Sequence, residues 1–425
     1  MNPSKDLQQS VMDSEPDGAN QVPAEKTSSG LDPKNSSSVH EAIKPPSLSK
    51  RASSNLDLIR GLAAVVVLLG HWRYLFFRDF ESLHQRGIFL KAFYFLTGLG
   101  HQAVVVFFVL SGFFVGGSVN RSFRLGRWSW RKYLLDRLTR LYLVLGPALV
   151  LGCLLDLLGS RLGGSNSIYG GISEFSALIP TSVSPDLTPT VFAGNLAFLQ
   201  TITVPTLGTN GALWSLANEF WYYILFPLLC LVLYKRSSAL LRCVSAALMG
   251  LVVFFIGMRI AAFFPVWLIG ALIAVKPISS RLIGARGLSF VLPIAFLAAC
   301  LFLPKPTGLW TLAAHDLLLG AITGLFVANL ASAEEQEVRP LIRKLSHALS
   351  STSYTLYLVH LPFAVLLASL VIGTGKRWVP SPLSFVWGFL IIGLVAAYAG
   401  VVWWLFERNL NKFRSVVYPL AGQSK

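Results

Sequence analysis

The stretch LDLIRGLAAVVVLLGHWRYLFF, residues 56–77, is long enough to span a bilayer yet holds ionisable side chains where lipid should be. A helix needs about 20 mostly apolar residues to cross a membrane. Asp57, Arg60 and His71 interrupt the run. Ionisable groups at that depth are costly, so they turn toward the protein interior and mark a pathway or a site. Arg60 and His71 are eleven positions apart. At about 100° and 1.5 Å per residue, the second returns to nearly the same helix face, roughly 16 Å further along. One predicted helix therefore presents a permanent cation near one end and a proton-transfer group deeper, on a single stripe.

The rest of the chain extends this pattern. Of 425 residues, 54% are hydrophobic and 13% charged, and the mean hydropathy is +0.60. Soluble domains carry about 25% charged residues. The apolar residues fall in blocks of spanning length, whereas a β-barrel would show short alternating segments. The expected fold is all-α, a polytopic membrane helical bundle of about ten transmembrane helices. The predicted spans are 56–77, 101–119, 137–158, 211–234, 239–256, 259–275, 288–303, 309–330, 353–373 and 384–406. The patches 87–97 and 190–204 are too short or broken for spans and read as interfacial or re-entrant. Cys153, Cys230, Cys243 and Cys300 lie in or beside apolar runs, with neither metal-ligand spacing nor a disulfide framework. No metal is expected.

The formal net charge of +16 does not indicate nucleic acid, because the basic residues sit in short loops between apolar helices. That is the positive-inside pattern, and membrane lipids are the expected surroundings. Residues 1–52 are rich in Ser, Pro, Asn, Asp and Lys and read as a disordered cytoplasmic tail. With that tail inside, alternate loops hold Arg121–Arg140, Lys235–Arg242, Arg339–Lys344 and Arg408–Arg414, while the opposite loops hold few cations. Both termini are thus expected in the cytoplasm, flanking a membrane domain at 53–410 and a tail at 411–425.

Four further stretches place polar groups where lipid should be. In FFVLSGFFVGG (107–117), the small residues serve tight helix packing, or Ser111 lines a substrate path. Arg137 and Arg140 share a helical face at the start of the third span, and with Arg60 they would form a mouth suited to phosphates. In GALWSLANEFWYY (211–223), Glu219 follows Trp214 and Ser215 by about one turn. It either snorkels beside an aromatic belt or polarises a hydroxyl or an imidazole. In SSTSYTLYLVHLP (350–362), Pro362 should bend the helix, and His360, six positions after Tyr354, reads as a hydrogen-bonded structural histidine. His71, on one stripe with Arg60, reads as the better general base.

Together, LDLIRGLAAVVVLLGH with its R-x10-H spacing, FFVLSGF, RLTRLY, WSLANEFWYY and SYTLYLVHLP resemble, in order, the motifs of the acyltransferase-3 family. The resemblance runs from residue 56 to about 362. It implies an integral membrane enzyme, probed best as an O-acetyltransferase of a bacterial inner membrane. Such an enzyme takes an acyl group, commonly acetyl, from cytoplasmic acyl-CoA to a hydroxyl of a carbohydrate or glycolipid acceptor, as in polysaccharide modification. By motif match, His71 is the catalytic histidine with Glu219 as a second catalytic candidate, and Arg60, Arg137 and Arg140 hold the donor. Asp57, Ser111, Trp214, Ser215, Tyr354 and His360 line or support the site. Val105, Leu143 and Glu407–Asn409 depart from the family pattern. The motifs specify neither the acceptor nor the acyl length. The rival reading is a proton-coupled transporter or flippase, with Arg60, His71 and Glu219 as a proton relay.

Overall fold

A computed structural model describes residues 48–420, without 164–166, 172, 177, 180–181, 235–236, 280–282, 285–286 and 373–375. Of the tail expected at 1–52, residues 1–47 lie outside the described residues, and residues 50–52 are already helical. The helices are α1 (Lys50–Phe76), α2 (Ile88–Thr97), α3 (Gly100–Arg124), α4 (Trp130–Gly163), α5 (Pro189–Leu196) and α6 (Trp214–Leu233). They continue as α7 (Ala239–Ala261), α8 (Phe264–Val275), α9 (Leu288–Phe302), α10 (Leu309–Ala331), α11 (Pro340–Val371), α12 (Pro382–Leu405) and α13 (Leu410–Leu420). Among the described residues there are only isolated bridges, such as Phe77 with Trp378, and no sheet.

Every predicted span falls on a helix, and eight helical segments are long and apolar enough to cross a membrane. The other two spans differ. α8 has 12 residues and α9 has 15, short of the usual spanning length. Their directions nevertheless fit an alternating bundle. Gly112 of α3 meets Trp267 of α8, and Gly116 meets Ala271, so these helices run parallel. Ser289, at the start of α9, donates to Asn329, near the end of α10, so that pair is antiparallel. The predicted break between 256 and 259 is a kink at Gly257 (φ 71°, ψ 171°) inside α7, with the turn itself at Ala262–Phe263. Positive φ is accessible to glycine without the Cβ penalty. The patch at 87–97 forms α2, and 190–204 divides into α5 and an irregular turn.

α4 and α11 extend well beyond the predicted 137–158 and 353–373, because hydropathy marks the lipid-matched part of a helix and not its full length. The segment expected as a tail at 411–425 begins as α13, whose Arg414 donates from Nη2 to the Asp136 carbonyl of α4 at 2.8 Å. Residues 421–425 lie outside the described residues.

α1 and α11 form the centre. Ser54 and Ser346 share a hydrogen bond at 2.8 Å, Arg60 donates to Ser350, and His71 meets His360. The partner number rises with the α1 number, so the two helices run parallel. Gly61 permits this approach, since a Cβ there would lie 2.4 Å from that of Leu349. α4 is parallel to α11 as well: Tyr354 reaches the Leu141 carbonyl, and Gly152 sits under Pro362. α12 returns antiparallel, with Phe363 stacked on Tyr398 and Thr355 bonded to Glu407. Its outer face, with Leu383, Phe389 and Leu394, is exposed, as a lipid-facing helix requires.

Two prolines inside helices leave carbonyls without their usual partner, because proline has no N–H to offer the residue four back. Pro362 frees the carbonyl of Leu358, which accepts from Asn210 Nδ2 at 2.8 Å. Pro227 frees that of Tyr223, which accepts from Tyr133 Oη at 3.0 Å. Side chains from α4 and from the turn before α6 thus satisfy the carbonyls freed in α6 and α11.

The α3–α8 contact yields a direct test. A Cβ on Gly112 would lie 2.0 Å from the Trp267 carbonyl oxygen. Gly112→Ala should destabilise the purified protein by about 1–3 kcal/mol or more, as overpacking does. Thermal unfolding in detergent checks this; an unchanged Tm would contradict the close contact.

Candidate active site

The polar residues of α1, α3, α4, α6 and α11 converge on an enclosed space. A cavity of about 120 Å³ is lined by Arg60, Arg137 and Arg140 at one end and by Ser215 and Tyr357 at the other. Ser111, Glu219, Tyr223 and Tyr354 line it between them.

At the arginine end, Asp57 organises Arg60. Its Oδ1 accepts from Arg60 Nη2 at 3.2 Å and from Ser350 Oγ at 2.7 Å, and Ser350 in turn accepts from Arg60. Arg137 donates from Nη2 to Ser118 Oγ at 2.8 Å and lies over the rings of Tyr133 and Tyr223. The Nε–H groups of Arg60 and Arg137 are buried without a hydrogen-bond partner. Guanidinium groups lining a cavity suit an anion, phosphate above all, which arginine grips in a forked geometry.

In the middle, Glu219 Oε1 accepts from Ser111 Oγ at 2.6 Å and from Tyr223 Oη. Ser111 also accepts from Trp267 Nε1 at 3.2 Å. The packing residues and Ser111 of the FFVLSGFFVGG stretch lie on different faces of α3. Gly112 and Gly116 pack against α8, while Ser111 turns to the cavity. Glu219 neither snorkels to an interface nor holds an imidazole; it collects hydroxyls.

At the far end, Tyr357 and Ser215 share a hydrogen bond at 2.7 Å, and the Tyr357 ring centroid is 6.2 Å from that of His360. Neither histidine lines the cavity; the pair sits just beyond Tyr357. His71 Nδ1 and His360 Nε2 are 2.7 Å apart. His360 Nδ1 lies 2.9 Å from the carbonyl oxygens of both Leu356 and Tyr357. His360 is buried, whereas His71 keeps partial exposure. Arg60 and His71 both engage α11, so they do share one face of α1. Trp214 does not reach this cavity; it stacks against His101, which bonds Asp316 at 2.6 Å.

Such an arrangement can hold an anion at one end and pass a thin chain through a hydroxyl-lined passage toward Tyr357, behind which the histidine pair lies. Comparison with known proteins bears on this directly. The family model described as an acyltransferase domain matches residues 53–404. The chain belongs to the acyltransferase-3 family. No curated protein matches it, and no solved structure does. Family membership makes this chain an acyltransferase and an integral membrane protein, in accord with its apolar helices.

Several residues around the acyltransferase-3 site escaped sequence reasoning. Tyr357 shares a face with Tyr354 and His360 by its spacing of three, a signal present in the sequence. Arg377 lies in the loop after α11. It is buried, donates to Asp79 Oδ2 at 2.7 Å and to Glu174 Oε1 at 3.2 Å, and ties the loop after α11 to the end of α1. Burial alone would lower its pKa, but hydrogen bonds and charge from Asp79, then Glu174, hold it above the ordinary arginine value. Among the described residues no three His, Cys, Asp or Glu side chains gather as a metal would need.

Glu219→Leu should leave the Ser111 and Tyr223 hydroxyls without their acceptor, at a cost of about 1–3 kcal/mol. Glu219→Gln should recover most of it. Thermal unfolding of the two variants side by side checks this, and equal losses would contradict the shared-acceptor arrangement.

Proposed function

We propose that this chain moves an acetyl group from cytoplasmic acetyl-CoA to a hydroxyl of a carbohydrate or glycolipid acceptor, with His71 as general base. The observation that carries the reading is the single face of α1, with Arg60 at the arginine end of the cavity and His71 beside its far end. Arg60, Arg137 and Arg140 hold the CoA phosphates, with the nucleotide outside. The cavity, at about 120 Å³, suits the narrow pantetheine arm and not the whole donor.

The thioester reaches the Tyr357–Ser215 end. His71 removes the proton from the acceptor hydroxyl as its oxygen attacks the thioester carbonyl. The tetrahedral intermediate collapses, the C–S bond breaks, and the sulfur takes the proton back from the His71 imidazolium. Glu219 acts on the hydroxyls of the passage and not on the proton transfer. The basic end of the bundle faces the cytoplasm, by the positive-inside rule, in a bacterial inner membrane. The residues ahead of α1 lie on the cytoplasmic side.

Purified protein tests this in two ways. Acetyl-CoA at a hundred times its Kd should stabilise the fold by about 2.7 kcal/mol, and Arg137→Ala should weaken that effect at least tenfold in concentration. His71→Ala should retain the acetyl-CoA stabilisation and lose transfer, read by mass spectrometry of surface glycans from producing cells. Wild-type transfer by His71→Ala would end the proposal. Glycans that move across the membrane but are never acylated would favour a flippase.

A further inference from the structure

The two histidines joined across α1 and α11 have an order of protonation that their neighbours dictate. His360 Nδ1 faces the carbonyl oxygens of Leu356 and Tyr357, each at 2.9 Å. A carbonyl can only accept, so Nδ1 carries the hydrogen. A neutral imidazole with its proton on Nδ1 has its lone pair on Nε2. That nitrogen is the one 2.7 Å from His71 Nδ1. The ring centroids are 5.0 Å apart and the planes differ by 16°, so the rings meet edge to edge, with the lone pair in line with its partner. His71 Nδ1 must then be the donor, which leaves the lone pair of His71 on Nε2.

We propose that His360 is a positioning residue that fixes His71 in the Nδ1–H tautomer, so that Nε2 of His71 is the nitrogen that takes the acceptor's proton. The inference deepens the general-base reading above and rests on it for its kinetic consequence. His360 does for His71 what a carboxylate does for the histidine of a hydrolase triad, but without a charge of its own. When Nε2 gains a proton, the Nδ1–H···Nε2 bond becomes charge-assisted and strengthens. The stabilisation appears only as the proton moves.

The support behind His360 is itself braced. Tyr357, whose carbonyl receives the Nδ1 proton, is held by its hydroxyl against Ser215 and the Ala212 carbonyl. The Leu358 carbonyl freed by Pro362 is held by Asn210. The turn of α11 that aims His360 is thus pinned by the segment leading into α6.

The experiment has a spectroscopic and a kinetic arm. In 15N-histidine-labelled protein in nanodiscs, with His71→Asn used to assign the signals, His71 should be neutral with its proton on Nδ1. In His360→Leu, the His71 proton should redistribute toward Nε2. For transfer, His360→Leu should lower kcat about 100-fold, within the usual range for general-base assistance, with the KM for acetyl-CoA changed less than about twofold. His360→Gln, whose amide oxygen can accept from His71 Nδ1–H, should keep kcat within about tenfold of wild type. A His71 proton resident on Nε2 in the wild-type protein overturns the proposal, even if His360→Leu fails to fold. Wild-type kcat in a folded His360→Leu overturns it equally. If His71→Ala remains active while the Nδ1–H signal is found, the general-base reading falls and the tautomer assignment stands.

Discussion

The parallel pairing of α1 with α11 sets the position of everything else. Hydrogen bonds join the two helices near the arginine end, at Ser54–Ser346 and Arg60–Ser350, and again at His71–His360. In lipid there is no hydrophobic drive to bring helices together, so close approach and buried polar bonds carry the association. Gly61 provides the approach and these pairs provide the bonds. A slip of one residue between the helices would separate all of them at once. The register that makes the bundle stable is therefore also the register that builds the site.

The remaining helices divide the work by face. α3 turns Gly112 and Gly116 to α8 and Ser111 to the cavity, so one helix serves as both packing surface and passage wall. α6 and α11 carry Pro227 and Pro362 inside them, and each freed carbonyl is capped by a side chain from elsewhere in the fold. Buried carbonyls need partners wherever water is absent, which is why these caps come from packed neighbours. At the opposite end to the arginines, Arg377 gathers Asp79 and Glu174 and closes α1 and α11 with a loop contact.

Much of the site was legible because helical periodicity is local. The Arg60–His71 stripe follows from spacing alone, and both residues do engage the same neighbour. Arg137 and Arg140 likewise share the cavity end with Arg60. What spacing could not supply was pairing across the sequence. His360 read as a structural histidine because nothing nearby in the chain explains it, and its partner lies 289 positions away. Glu219 was weighed as a group that might polarise an imidazole, yet its neighbours are the hydroxyls of Ser111 and Tyr223. Hydropathy located every span but gave poor ends for α4 and α11, whose polar extensions remain helical outside the apolar windows. The short α8 shows the reverse, where an apolar run contains a turn at Ala262–Phe263 that composition does not mark.

The distance along the chain between the two joined imidazoles has a consequence for biosynthesis. A ribosome delivers α1 to the membrane long before α11 exists, and the intervening helices must all insert first. Throughout that interval His71 has no ring to meet, and its proton is free to sit on either nitrogen. The imidazole pair is completed only when the penultimate spanning helix arrives, so a nascent or truncated chain holds His71 without the ring that orients it.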